Sequence, residues 1–446
     1  MNANINTKPL SGFMELLPGE QVLFDHIKTT IEQTYNSFGF TSLDTPNIER
    51  SEVLLAKGSA ETDNQIYFVN NGLFVKEANS QALRFDLTVP LARYVAEHNN
   101  ELVFPFRRCH IGKVYRGERA QKGRFREFYQ CDIDVIGKSS LSIYYDAEIP
   151  SIIYNIFRKL NLGKFTIKLS NRKIFNGLFQ ELNITAPFSH VLRIIDKALK
   201  VTKEELVAEF KEIDLNDEQI ANLQKFMNVS GTVSQVIQDL NNLNIQNPLF
   251  NEGVSELKTV TDTMQLLGVD QNYYEIDLSI VRGLDYYTGT VYETMMEDSR
   301  IGSVCSGGRY ENLASHYTSE SLPGVGISIG LSRLFYQLKE HGLLQNIQKT
   351  IADVIVMPND ETNLPACITC ANQLREAGIK VDLLLEPMSP KKKFAYIDKL
   401  NTPYTIVIKT VDNKEVISLQ YKENDTIQKE ELAVNEIIEK ITRKII

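Results

Sequence analysis

No stretch of the 446-residue chain approaches the roughly 20 consecutive apolar residues of a membrane-crossing helix, so a spanning segment is not expected. The opening MNANINTKPL lacks the apolar core of a secretion signal, and the expected location is the cytoplasm. Cysteine is scarce. Five residues, scattered and odd in number, suit a reducing compartment better than a disulfide framework. Positive charge is not in excess either: a net charge of −9 argues against a protein that coats nucleic acid by bulk electrostatics. Any contact with nucleic acid needs a local patch.

Several catalytic signatures are also missing. No G-x-x-x-x-G-K-[ST] occurs, so phosphate binding is not of the P-loop type. The six histidines form no H-E-x-x-H pair and no G-x-S-x-G elbow is present, which disfavours covalent catalysis and zinc chemistry. Cys367 and Cys370 make one C-x-x-C without a second pair. On a predicted helix they share a face with Ala371 and Leu374, which describes packing against a sheet, and no protein metal site is expected. GVGISIG at 324–330 lacks the glycine spacing of a dinucleotide fingerprint and reads as a buried strand turning into a helix that aims Arg333.

What is there is an ordinary globular composition, 43% apolar and 24% charged, in a chain long enough for two or three domains. Phe24, Ile27, Ile31, Tyr35 and Phe38 recur at helical spacing after Pro18-Gly19. From Leu83 to Thr88 the pattern alternates, placing Arg84, Asp86 and Thr88 on one face. After Phe128 it alternates again, with Gln130, Asp132 and Asp134 together. Two strands thus offer polar rows that one pocket could share, although a half-buried sheet with a wet face explains either one alone. Residues 164–270 read as short amphipathic helices, and strand character returns at Tyr274–Ile280. Beyond Ile351 the order strand, helix, strand, helix, strand, strand, helix predicts a compact α/β module. No repeat or low-complexity tract interrupts it.

The segment FRRCHIGKVYRGERAQKGRFREFYQ (residues 106–130) carries eight cations against Glu118 and Glu127. Its glycines at 117 and 123 predict a hairpin, Val114–Glu118 leading in and Arg124–Gln130 leading out. A cationic hairpin with aromatics at its exit could clamp polyphosphate, stack a base or meet an RNA backbone, and could equally be a solvated loop. Arginine outnumbers lysine, and planar forks favour phosphate.

Together these segments resemble histidyl-tRNA synthetases, class II aminoacyl-tRNA synthetases. LRFDLTVPLARY resembles the family's histidine-pocket segment, YRGERAQKGRFREFYQCDID motif 2, RGLDYYTGTVYE a histidine-specific signature, GVGISIGLSRLF motif 3, and FTSLDTP motif 1. The resemblance implies an α+β catalytic domain with an antiparallel six-stranded sheet (1–163 and 271–345), a helical insertion (164–270) and a C-terminal α/β anticodon-binding domain (351–446). It implies ATP-dependent activation of L-histidine to histidyl-adenylate and transfer to tRNA(His) by a homodimer, with Mg²⁺ accompanying the phosphates.

By the family pattern, Arg116 holds the α-phosphate and Arg333 the γ-phosphate end, while Glu118 and Phe128 position the adenine. Arg282 bridges the substrate carboxylate and the α-phosphate. Asp86, Thr88 and Gln130 hold the α-amino group, and Asp134 and Tyr287 engage the imidazole, with Tyr286 beside them in the histidine-binding set. Asp86 and Asp134 stand where many bacterial members have glutamate, as in the eukaryotic-type pattern, and Ser332 precedes Arg333 where glutamate is common. The main alternative is a catalytically inactive, histidine-sensing regulatory subunit of ATP phosphoribosyltransferase. Such relatives generally lack the C-terminal domain and carry degraded versions of these motifs.

Overall fold

The computed structural model describes residues 5–56, 64–70, 80–187, 190–191, 194–195, 201–280, 287–297, 302–311, 313–342, 348–423 and 426–445. The chain forms two compact units, Met1–Met14 with Lys28–His341 and Glu15–Ile27 with Gly342–Ile446. Among the described residues no helix is long and apolar enough to cross a membrane.

In chain order the strands are β1 (Thr41–Ser42), β2 (Ile48–Arg50), β3 (Phe68–Val69), β4 (Gln81–Leu83), β5 (Phe106–Tyr115), β6 (Glu127–Ile136), β7 (Phe165–Asn171), β8 (Tyr274–Ile276), β9 (Tyr287–Met296), β10 (Cys305–Tyr310) and β11 (Gly324–Gly330). The larger unit is built on a sheet of order β1-β5-β6-β11-β10-β9-β7-β8. Its six inner strands are antiparallel throughout. The expected six-stranded antiparallel sheet is therefore present, with two short parallel edge strands added at β1 and β8. β8 falls within the strand character read at Tyr274–Ile280, but so short a pattern does not show which strand it pairs with.

The helical region begins later than its texture suggests. Phe165–Asn171 forms β7, alternating buried and half-buried positions to Leu169 and buried from there on, and pairs with β9 inside the sheet. The helices Lys203–Glu212 and Asp217–Met227 open on capping boxes, Thr202 with Glu205 and Asn216 with Gln219. Helices Arg172–Glu181 and Pro248–Leu266 touch at Gly177, where an added Cβ would lie 2.3 Å from the Phe250 backbone nitrogen, so only glycine lets them meet.

A second difference falls in the pocket segment. The strand expected over Leu83–Thr88 ends at Leu83, and Thr88 begins a helix, Thr88–Glu97. Asp86 Oδ1 accepts from Val89 N at 2.9 Å, satisfying an otherwise orphan donor in the first helical turn. That local bond, together with Pro90, overrides the alternation.

The smaller unit has a five-stranded sheet, with β12 (Val354–Pro358), β13 (Val381–Leu383), β14 (Tyr404–Val411), β15 (Lys414–Glu423) and β16 (Thr426–Glu431) in the order β13-β12-β14-β15-β16. Its first three strands are parallel and its last two antiparallel. The β14–β15 turn places Asp412 and Asn413 at positive φ, as a tight hairpin turn demands. The sequence TIQKEE of β16 is mostly polar and has no fully buried position, which hid it from hydrophobic patterning. Cys367 and Cys370 lie buried in the core with Ala371 and Leu374, as their helical spacing predicts. Burial pushes the Cys367 thiol up to about 12 and that of Cys370 up to about 11, leaving both chemically inert at neutral pH.

Candidate active site

The β5–β6 hairpin forms as its glycines predict, in unbroken register from Phe106↔Ile136 to Tyr115↔Glu127. Register then decides which side chains share a face. Arg108, His110 and Gly112 stand opposite Asp134, Asp132 and Gln130. On the other side of β6, Gly326, Ser328 and Gly330 of β11 face the same three residues. The result is one polar face, floored by three neighbouring strands.

Above it lies a cavity of about 340 Å³, within the range of small-molecule sites. Asp86, Thr88, Gln130, Asp134 and Tyr287 line it, and so do Arg116, Glu118, Phe128 and Arg333. Every sequence-predicted site residue that the structure describes is therefore in one pocket. Arg282 and Tyr286 lie outside the described residues.

The two candidate phosphate-binding cations are held differently. Arg116 donates through Nε to Phe85 O at 3.3 Å, and its guanidinium lies over the Phe85 ring at 4.3 Å and the Phe128 ring at 5.1 Å. Arg333 donates to Gly123 O at 3.2 Å and Ser303 O at 2.9 Å, which ties the first turn of the helix Leu331–Glu340 to the hairpin loop. Burial, with Arg124 and Arg116 nearby, pulls Arg333 below the ordinary arginine value. Such crowded cations favour an anionic guest.

Much of the rest of the basic segment is tied to acids of the fold. Arg107 makes two 2.9 Å bonds to Glu148 and stacks on Phe40. Fully buried Arg108 pairs with Asp134 at 2.8 Å, Lys113 with Glu127 at 2.8 Å, and Arg124 with Glu118 at 3.5 Å. A strand sends successive side chains to opposite faces, and Glu148 arrives from a distant helix. Counting charge within one segment could see neither.

The carboxylates are tuned by burial. Asp134 receives Arg108 on one oxygen and the Tyr310 hydroxyl at 2.9 Å on the other, fixing its plane while leaving lone pairs for a ligand. Burial still holds it, like Asp86, above the usual carboxylate range. Gly326 is required beside it, because a Cβ there would sit 2.1 Å from Asp134 Oδ1. Ser332 Oγ accepts from Tyr129 N at 3.0 Å and anchors the helix to β6. Arg108, Tyr310, Ser328 and Ser332 were not singled out for these supporting roles from sequence. They sit on strands and a helix brought together only by the fold.

A family model for histidyl-tRNA synthetase matches residues 12–334, and one for an anticodon binding domain matches residues 353–444. Histidine–tRNA ligase of Clostridium tetani is 51% identical over 431 residues, 96% of each chain. That of Finegoldia magna is 46% identical over 438 residues, 98% of this chain and 100% of the relative. The structure of histidyl-tRNA synthetase from Nostoc sp. PCC 7120 superimposes with a TM-score of 0.88 at 38% identity, covering 99% of this chain and 100% of that one. An ATP phosphoribosyltransferase regulatory subunit/histidyl-tRNA synthetase from Bacillus halodurans C shares the fold at a TM-score of 0.73 and 21% identity, over 88% of this chain and 97% of that chain. With the cavity, the strand register and near-complete alignment to relatives all in agreement, this chain belongs to the histidyl-tRNA synthetase family.

Proposed function

We propose that the chain is a histidine–tRNA ligase that activates L-histidine with ATP and transfers it to the 3′ end of tRNA(His). What supports this most directly is the convergence of carboxylates and cations on one cavity of about 340 Å³. In the first step the histidine carboxylate attacks the α-phosphorus and pyrophosphate leaves. In the second, a ribose hydroxyl of the tRNA terminus attacks the adenylate carbonyl and AMP leaves. Neither step needs a protein nucleophile, so the site's task is positioning and stabilising charge.

In this reading Arg116 and Arg282 stabilise charge on the α-phosphate, and Arg333 meets the γ-phosphate end. Glu118 and Phe128 position the adenine. Asp86, Thr88 and Gln130 hold the α-amino group, while Asp134 and Tyr287, with Tyr286, recognise the imidazole. Mg²⁺ would arrive on the polyphosphate and neutralise its charge.

Residues 1–163 with 271–345 would form the catalytic core, with β7 of the 164–270 insertion completing its sheet, and 351–446 would bind the anticodon. The loop around Gln121–Gly123, exposed at Gln121 and Lys122, would meet the acceptor end. A homodimer joined through the motif 1 region accords with exposed Ile48 and Leu55. Histidine-dependent ATP–pyrophosphate exchange is the deciding assay. Binding of both ligands without exchange would instead favour the regulatory subunit. Arg282→Ala should slow adenylate formation about 10²–10³-fold with little effect on ATP affinity. Equal losses in both would remove its assigned role.

A further inference from the structure

One carboxylate of the polar face has no part in the assignments above. Asp132 lines the cavity between Gln130 and Asp134, and is only 2% exposed. Ser328, its register partner on β11, hydrogen-bonds to it and accepts from Gln130 Nε2 at 2.9 Å. That chain leaves two acceptors, Asp132 Oδ1 and Gln130 Oε1, without a hydrogen-bond partner among the described residues. Both belong to same-face neighbours, about 7 Å apart along one strand. Buried acceptors without donors are costly unless a ligand supplies them.

Charge makes the case more specific. Asp134 has a dedicated counterion in Arg108 at 2.8 Å. Among the described residues Asp132 has none so close. It feels Arg108 as a second neighbour, and Asp134 and Asp86 oppose its ionisation. Asp86 already spends one oxygen on the helix start. Two orphan acceptors beside three clustered carboxyl groups call for a cation with several N–H donors. An ammonium group has three, whereas the imidazole of free histidine is mostly neutral at pH 7.

We propose that Asp132 is a substrate-binding residue that, with Gln130 and Asp86, receives the α-ammonium group of the amino acid. This rests on the histidine-activating reading and adds to it the residue that balances the substrate's positive charge. Burial holds Asp132 protonated up to about 7 without ligand, so the arriving ammonium displaces a proton. The titratable and charged groups around it are Arg108 and His110 on β5, Arg84 and Asp86 before the helix Thr88–Glu97, Cys131 and Asp134 on its own strand, Cys305 on β10 and Tyr35 on the helix Pro18–Ser37.

The test compares L-histidine with 3-(imidazol-4-yl)propanoate, which lacks only the amino group. In Asp132→Asn, affinity for histidine should fall about 10- to 100-fold, while affinities for the deamino compound and for ATP stay within about threefold. Equal loss for both imidazole ligands, or no loss for histidine, overturns the assignment. A second arm uses the unaltered protein and so does not depend on the variant folding. Calorimetry at pH 7 in buffers of different ionisation enthalpy should show more proton release with histidine than with the deamino compound, and equal release overturns it. If the unaltered protein binds no histidine at all, it is the histidine-activating reading that falls.

Discussion

His110 and Asp132 stand opposite each other across β5 and β6, and their protonation is shifted in ways that make opposite demands on stability. Burial, with Arg108 and Arg84 nearby, lowers His110 from 6.5 to about 3. The 2.8 Å contact of its Nε2 with Asp44 Oδ1 fits a neutral ring with the proton on Nε2. The unfolded chain takes up a proton on His110 near 6.5 that the native state refuses until about 3. Its contribution is therefore complete above 6.5 and is lost as pH falls toward 3. Asp132 is the mirror case. Its native carboxyl keeps a proton up to about 7 while the unfolded one releases it near 3.8, so its contribution is complete below 3.8 and lost as pH rises through 7.

Between about pH 4 and 6.5 one group's proton uptake on unfolding cancels the other's release, and together they add almost no pH dependence. Removing one should expose the other, with a slope of about 1.4 kcal/mol per pH unit. His110→Gln should gain stability relative to the parent by roughly 2–3 kcal/mol on acidification from pH 6.5 to 4.5. Asp132→Asn should lose a similar amount over the same interval. Urea unfolding at several pH values, followed by near-ultraviolet circular dichroism, reads the difference. Variant curves that stay parallel to the parent would refute the reasoning, because they would mean neither group changes its proton affinity on folding.

Gly326→Ala places a methyl group on the Asp134 carboxylate, and should weaken histidine binding at least about 10-fold while ATP binding changes less. Unchanged histidine affinity by equilibrium dialysis would mean Asp134 is not positioned as described. Asp146→Asn breaks a fully buried pair in which Arg309 donates from Nε and Nη2, the shortest contact being 2.6 Å, and should cost about 3–5 kcal/mol in the urea midpoint. A change below about 1 kcal/mol would mean that the pair behaves as an exposed one rather than a buried one. Cys367 and Cys370 should resist alkylation at pH 8 in the native protein and react fully once it is unfolded. Rapid native labelling by mass spectrometry would speak against their burial.

The sequence alone determined a great deal here, and for local reasons. Glycines at 117 and 123 announce the hairpin, GVGISIG reads as strand before helix, and the helix Pro390–Leu400 is bounded as its Pro at N1 predicts. Thr88, by contrast, lay on an alternating pattern that continues past the strand, and a hydrogen bond from Val89 to the Asp86 side chain turned it into a helix start. Tertiary structure alone decided which charges were available. Arg107 and Arg108 look in sequence like their cavity-lining neighbours Arg116 and Arg124, but acids from a distant helix and an adjacent strand claim them. It also decided that Asp132, indistinguishable from Asp134 by alternation, lacks a close counterion of its own. A residue's pattern of neighbours along the chain is set by covalent spacing. Its electrostatic partners are set by which strands pair and in what register, and that information belongs to the whole fold.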